Sequence, residues 1–165
     1  MANEVKNRKG ATSSVVQKVV IRKHYTELSV HPMAASFARS HVERVLVAWG
    51  FAELIEVAQL IASELVTNAI KAAEVTKPTD GEIHMYGSFA EALKYIWIGL
   101  YEIRDYVVIE VWDASREPPK LKSPTLDEEG GRGIQLVEML AARWGYRWPK
   151  TGGKIVWAAL VLDAA

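Results

Sequence analysis

The chain has no cysteine, so it carries neither a disulfide nor a thiolate metal site, a composition that fits a reducing compartment. No run approaches the ~20 consecutive apolar residues of a membrane span. The polar, lysine-bearing stretch 1–10 is not followed by an apolar segment of signal length. These absences predict a cytoplasmic protein with no membrane attachment. An excess of one charge is missing too, with 20 Lys and Arg against 20 Asp and Glu. Direct nucleic-acid binding is therefore not expected, nor is a partner selected by bulk charge.

What is present is hydrophobic material, 50% of 165 residues, enough for one domain with a real core and short for two. Residues 1–14 are small and polar and read as a disordered arm, leaving 15–165 as the domain. Residues 15–25 alternate imperfectly and predict an edge strand. His31-Pro32 marks a helix start, the stripe Phe37, Ala38, His41, Val42, Val45, Leu46 and Trp49 continues it, and Gly50 stops it. His41 belongs to that stripe as a core-edge residue rather than a ligand.

A second helix runs from Ala52 or Glu53 to about Glu74, ended by Lys77-Pro78-Thr79-Asp80-Gly81. A short strand and a loop are expected over 81–93. Tyr95–Tyr101 and Tyr106–Trp112 form a hairpin joined by 102–105. Residues 114–129 hold Pro118, Pro119 and Pro124 among charged and small residues and predict a mobile lid. Ile134, Val137, Leu140, Ala141 and Trp144 make a third amphipathic helix stopped by Gly145. Tyr146–Trp148 and Lys154–Leu162 close the chain as a hairpin turned at Thr151-Gly152-Gly153. Strands arriving mainly as hairpins and three helices with apolar stripes predict an α/β two-layer sandwich, a mixed, mostly antiparallel sheet with three helices on one face.

Three places carry chemistry. On the second helix, Glu64 and Asn68 lie four apart on one face with Lys71 near them. Leu54, Ala58, Ile61, Leu65 and Ala72 fall on one arc that includes Asn68 and has Glu64 at its edge. A buried amide or carboxylate there needs a partner; the plain alternative is an Asn bonded to nearby backbone and a Glu reaching solvent. In the strand before the lid, Val107, Ile109, Val111 and Asp113 share a face by parity, so an acid ends a buried row. Finally, Gly131-Arg132-Gly133 opens a helix, where free backbone N–H groups and the positive dipole end favour an anion; alone, such glycines are more often simply a turn.

With those pieces in this order, the chain resembles the GHKL ATPases, the family of gyrase, Hsp90, histidine-kinase catalytic domains and MutL, and it is similar to their small bacterial anti-sigma factors and serine protein kinases. The resemblance spans Val16 to Leu162, with Glu-Leu-Val-Thr-Asn-Ala and Gly-Gly-Lys-Ile-Val-Trp its most specific phrases. It implies the Bergerat fold, ATP and Mg²⁺ as cofactors, Asn68 as the metal ligand, Asp113 as acceptor for the adenine amine, and Glu64 as the base. Lys71, Gly131, Arg132 and Gly133 complete the implied nucleotide site. Departures are visible. The usual Asp-x-Gly-x-Gly reads Asp113-Ala114-Ser115-Arg116-Glu117, Ala72 and Ile155 stand where the small kinases carry His and Thr, and Glu129 takes the place of an Arg before Gly-x-Gly.

The implied function is an anti-sigma-type regulator that binds ATP and phosphorylates a serine or threonine of an antagonist protein. The alternative is a binding module of the same fold that regulates a protein partner without catalysis. Expected partners are a sigma factor or its antagonist, and relatives commonly form homodimers.

Overall fold

The computed structural model describes residues 4–6, 20–75, 94–119 and 133–163. Its strands are β1 (Glu4–Lys6), β2 (Val20–Ser29), β3 (Tyr95–Ile103), β4 (Tyr106–Asp113), β5 (Arg143–Arg147) and β6 (Lys154–Val161), and its helices are α1 (Ala34–Trp49), α2 (Ile55–Val75) and α3 (Gly133–Leu140). A short 3₁₀ turn, Ala52–Leu54, leads into α2. The sheet order is β1-β5-β6-β4-β3-β2. A mixed, mostly antiparallel sheet was the expectation; every pairing among the described strands is antiparallel, because each neighbour in space is reached by a hairpin or a return across the edge.

The helices pack on each other and on one face of the sheet, α1 on α2 and α2 on β4 and α3. Between the layers Ala38, Val42 and Leu46 of α1 meet Ile61, Leu65 and Val66 of α2 and Ile96, Ile98, Leu100, Val107, Ile109 and Val111 of the central strands, all buried. Each such aliphatic side chain contributes roughly 1.5–3 kcal/mol by leaving water. α1 follows Pro32 and ends at Gly50, whose φ of 83° is the left-handed conformation glycine adopts without a Cβ penalty, and whose N–H donates to Leu46 and Val47 carbonyls.

The other face of the sheet is paved rather than open. Tyr25 stands directly opposite Gly99 and Trp157 opposite Gly145 in register, and a Cβ on either glycine would run into the ring that lies over it. Glu110 accepts from Tyr25 Oη at 3.0 Å and from Arg147 Nη2 at 2.8 Å beneath these rings. Burial, and then the Glu110 carboxylate, raises the Tyr25 pKa; the same causes push Tyr101 up to about 12.

Several expectations are corrected. The edge strand continues past residue 25 to Ser29, residues 15–19 lying outside the described residues, and the first hairpin extends to Ile103, so its turn is Arg104-Asp105 alone. The third helix stops at Leu140. Trp144 and Gly145 belong to β5, because strand pairing with β6 outweighs a helical period that happens to continue through Trp144. Within the arm expected to be disordered, Glu4–Lys6 pairs with Trp144–Tyr146, since the outer edge of β5 offers unpaired backbone groups. The short strand expected over 81–93 lies outside the described residues.

His41 is the buried polar residue the core tolerates least. It is 2% exposed, its ring lies 4.9 Å from that of His24, and its Nε2 has no hydrogen-bond partner among the described residues. Burial, with the nearby His24 and Arg44, lowers its pKa to about 4, so it is held neutral.

Candidate functional site

α2 presents its buried side through Ala58, Ile61, Ala62, Leu65, Val66, Ala69 and Ala73. That arc is turned slightly from the expected one, which ran through Leu54 and Ala72 and enclosed Asn68. Here Leu54 and Ala72 are half-buried, and Glu64 and Asn68 stand together at the flank, also half-buried. The turn follows from the alanines at 58, 62, 69 and 73, which let the helix lie close to the sheet along that line. Neither the Glu64 carboxylate nor the Asn68 carboxamide has a hydrogen-bond partner among the described residues, and both are half-buried, short of the desolvation cost of full burial. Lys71, one turn on, is exposed.

Asp113 ends β4 at 1% exposure, as strand parity predicts. Its position opposite Lys154 in the β4–β6 register brings the Lys154 ammonium to 2.9 Å from both carboxylate oxygens. The Ser115 backbone N–H donates to Oδ1 at 2.9 Å. Burial pushes the Asp113 carboxyl up, against the Lys154 charge and the Ser115 hydrogen bond, which pull it down. A carboxylate has about four lone-pair positions. Among the described residues Oδ1 thus accepts two hydrogen bonds, and the Lys154 ammonium also lies against Oδ2.

The missing glycines after Asp113 have local replacements. Asp113 Oδ1 receives the N–H two residues on, and Ser115 Oγ in turn accepts the Glu117 N–H at 3.2 Å. Side-chain acceptors thus bend the backbone where the usual motif relies on glycine. Trp148 Nε1 donates to the Arg116 carbonyl at 2.8 Å, and Ala114 and Ser115 are buried. The start of the expected lid 114–129 is therefore anchored, because those side chains pin its backbone; 120–129 lies outside the described residues.

On the opposite side of Asp113, Gly152 and Gly153 turn with φ of 102° and 70°. A Cβ on Gly153 would strike the Asp113 carbonyl, and Trp112 Nε1 donates to the Gly152 carbonyl at 2.9 Å. The Gly-Gly-Lys phrase is thus the cradle of the strand-end acid. Lys154 was not among the residues expected in the site, although a signal was there: it falls in phase with Val156, Ala158 and Leu160, the inner row of β6.

Gly133 opens α3, which packs on α2; Gly131 and Arg132 lie outside the described residues. Glu64 and Asn68 thus lie on α2, Asp113 ends β4 and Gly133 opens α3, and α2 packs on both β4 and α3. A half-buried carboxamide oxygen suits a hard cation such as Mg²⁺, and a carboxylate at the end of a buried strand suits the amine edge of adenine. No helix among the described residues is long and apolar enough to cross a membrane. A family model described as a histidine kinase-like ATPase domain matches residues 28–160. No curated protein matches the chain.

Proposed function

The chain belongs to the histidine kinase-like ATPase domain family, and from that premise we propose that it is an ATP-binding anti-sigma-type regulator that phosphorylates a serine or threonine of an antagonist protein. The observation that carries the reading is the side-by-side, partly solvent-facing pair Glu64 and Asn68 on α2, whose helix packs on the strand that Asp113 ends. Asn68 would hold Mg²⁺ through its side-chain oxygen, Asp113 would accept the adenine amine, and the α3 terminus at Gly133, with Arg132 and Gly131 before it, would face the phosphates. Mg-ATP supplies the phosphoryl group and the charge neutralisation that transfer requires. Glu64, one turn from the metal ligand, would take the proton of the acceptor hydroxyl.

A second reading, a binding module that regulates its partner without transfer, is favoured by one observation: Lys154 already occupies both oxygens of Asp113. The separating experiment is transfer of label from γ-labelled ATP to an antagonist captured with the protein. Under the first reading Glu64→Gln lowers transfer by ~10²–10⁴ with ATP affinity nearly unchanged, since it removes a proton acceptor and little else. A parent protein that binds ATP and its partner yet transfers no label establishes the second.

A further inference from the structure

Lys154 is a charge where a plain core strand would carry an aliphatic side chain. Its row on β6 continues as Val156, Ala158 and Leu160, all buried. An ammonium and a carboxylate buried as a pair are at best close to neutral for stability against well-packed apolar residues of the same size. Stability alone is therefore a weak reason for the pair. Its place, at the end of β4 and the start of β6, suits it to a second use.

Among the described residues the Lys154 ammonium bonds only to Asp113, at 2.9 Å from each carboxylate oxygen. An ammonium donates only and a carboxylate accepts only, so the two heads present a donor beside an acceptor. Their order is held from both sides. The Ser115 N–H bonds Asp113 Oδ1, and Gly153, which lies too close to the Asp113 carbonyl to admit a Cβ, sets the backbone from which Lys154 reaches the acid. A purine with an amine at C6 carries the complementary order on one edge: the amine donates, and the ring nitrogen N1 beside it accepts. A carbonyl at C6 reverses that order, because the carbonyl accepts and N1 carries a hydrogen. Resting on the nucleotide reading above, we propose that Lys154 determines base specificity together with Asp113: the carboxylate takes the amine of adenine and the Lys154 ammonium donates to N1. A 6-oxopurine in the same orientation then meets two mismatches instead of one, an acceptor against Asp113 and a donor against Lys154.

Equilibrium binding to the full chain with Mg²⁺ tests it, using ATP, 1-deaza-ATP, in which N1 is a C–H, and purine riboside triphosphate, in which the amine is a hydrogen. The parent is expected to bind 1-deaza-ATP about ten- to a hundredfold more weakly than ATP, the range of one hydrogen bond to a charged group. Lys154→Met is expected to bind ATP and 1-deaza-ATP alike while still preferring ATP to purine riboside triphosphate, since the Asp113 contact is separate. The variant is measured at alkaline pH, so that an Asp113 deprived of its cation does not hold a proton and donate to N1 in its place. A lysine that served only the fold would lower all three affinities together and keep their ratios, which overturns the proposal. A Lys154→Met variant that binds ATP more tightly than the parent overturns it too, because the lysine then only blocks Asp113. A parent indifferent to N1 overturns it while leaving the nucleotide reading in place; a parent that binds none of the three overturns both. Circular dichroism shows whether Lys154→Met is folded, and if it is not, the parent's ratio of ATP to 1-deaza-ATP decides by itself.

Discussion

Asp113 and Lys154 are two charges almost wholly removed from water, 4% and 2% exposed for the lysine and aspartate side chains. Their mutual attraction offsets desolvation only while both are present. Lys154→Met is therefore expected to destabilise the fold by about 3–5 kcal/mol, because an uncompensated carboxylate remains. Asp113→Asn in the same chain should return much of that loss. Urea unfolding of the two variants measures the difference, and equal stability of the single and double variants would show that Asp113 finds another cation. His41 gives a pH signature. Its folded pKa is about 4 against an ordinary 6.5, so below pH 6.5 the unfolded chain takes up a proton that the folded chain refuses until about pH 4. Stability present at neutral pH is thus lost as pH falls through that window, by up to about 3 kcal/mol. His41→Leu should flatten that part of the stability profile; a slope unchanged between pH 6.5 and 4 would assign it to other groups.

At the scale of elements, α2 separates structure from chemistry along its own length. Its alanines and aliphatics face the core while Glu64 and Asn68 flank it, so Asn68→Ala removes the proposed metal ligand while keeping a strong helix former. The expected outcome is unchanged unfolding stability, within about 0.5 kcal/mol, with loss of the Mg²⁺-dependent part of ATP affinity. Titration calorimetry with and without Mg²⁺ checks it, and a variant that binds Mg-ATP as the parent does would remove Asn68 from the metal site. Periodicity made α1, α2 and the β3–β4 hairpin legible in the sequence, and parity placed Asp113 inside. β5 was not legible, because Val137, Leu140, Ala141 and Trp144 continue a helical spacing and only pairing with β6 decides for a strand. The Lys154 contact was hidden for the same reason: a register joins residues 41 apart in the chain, and local pattern carries no register.

At the scale of the whole molecule, three helices cover one face of an antiparallel sheet, and aromatic rings laid over glycines cover much of the other. α2 packs on both β4 and α3, the elements that carry the proposed nucleotide site, and membership of the ATPase-domain family agrees with nucleotide binding. The proposed function requires that the chain bind Mg-ATP. Thermal unfolding of the parent across a series of ATP concentrations, with Mg²⁺ and with chelator, tests it most directly. At 100 times the dissociation constant about 2.7 kcal/mol of added stability is expected with Mg²⁺, less with chelator, and less with GTP, whose C6 carries a carbonyl where adenine carries the amine that would donate to Asp113. An unfolding temperature that does not move with ATP and Mg²⁺ at any concentration would contradict it.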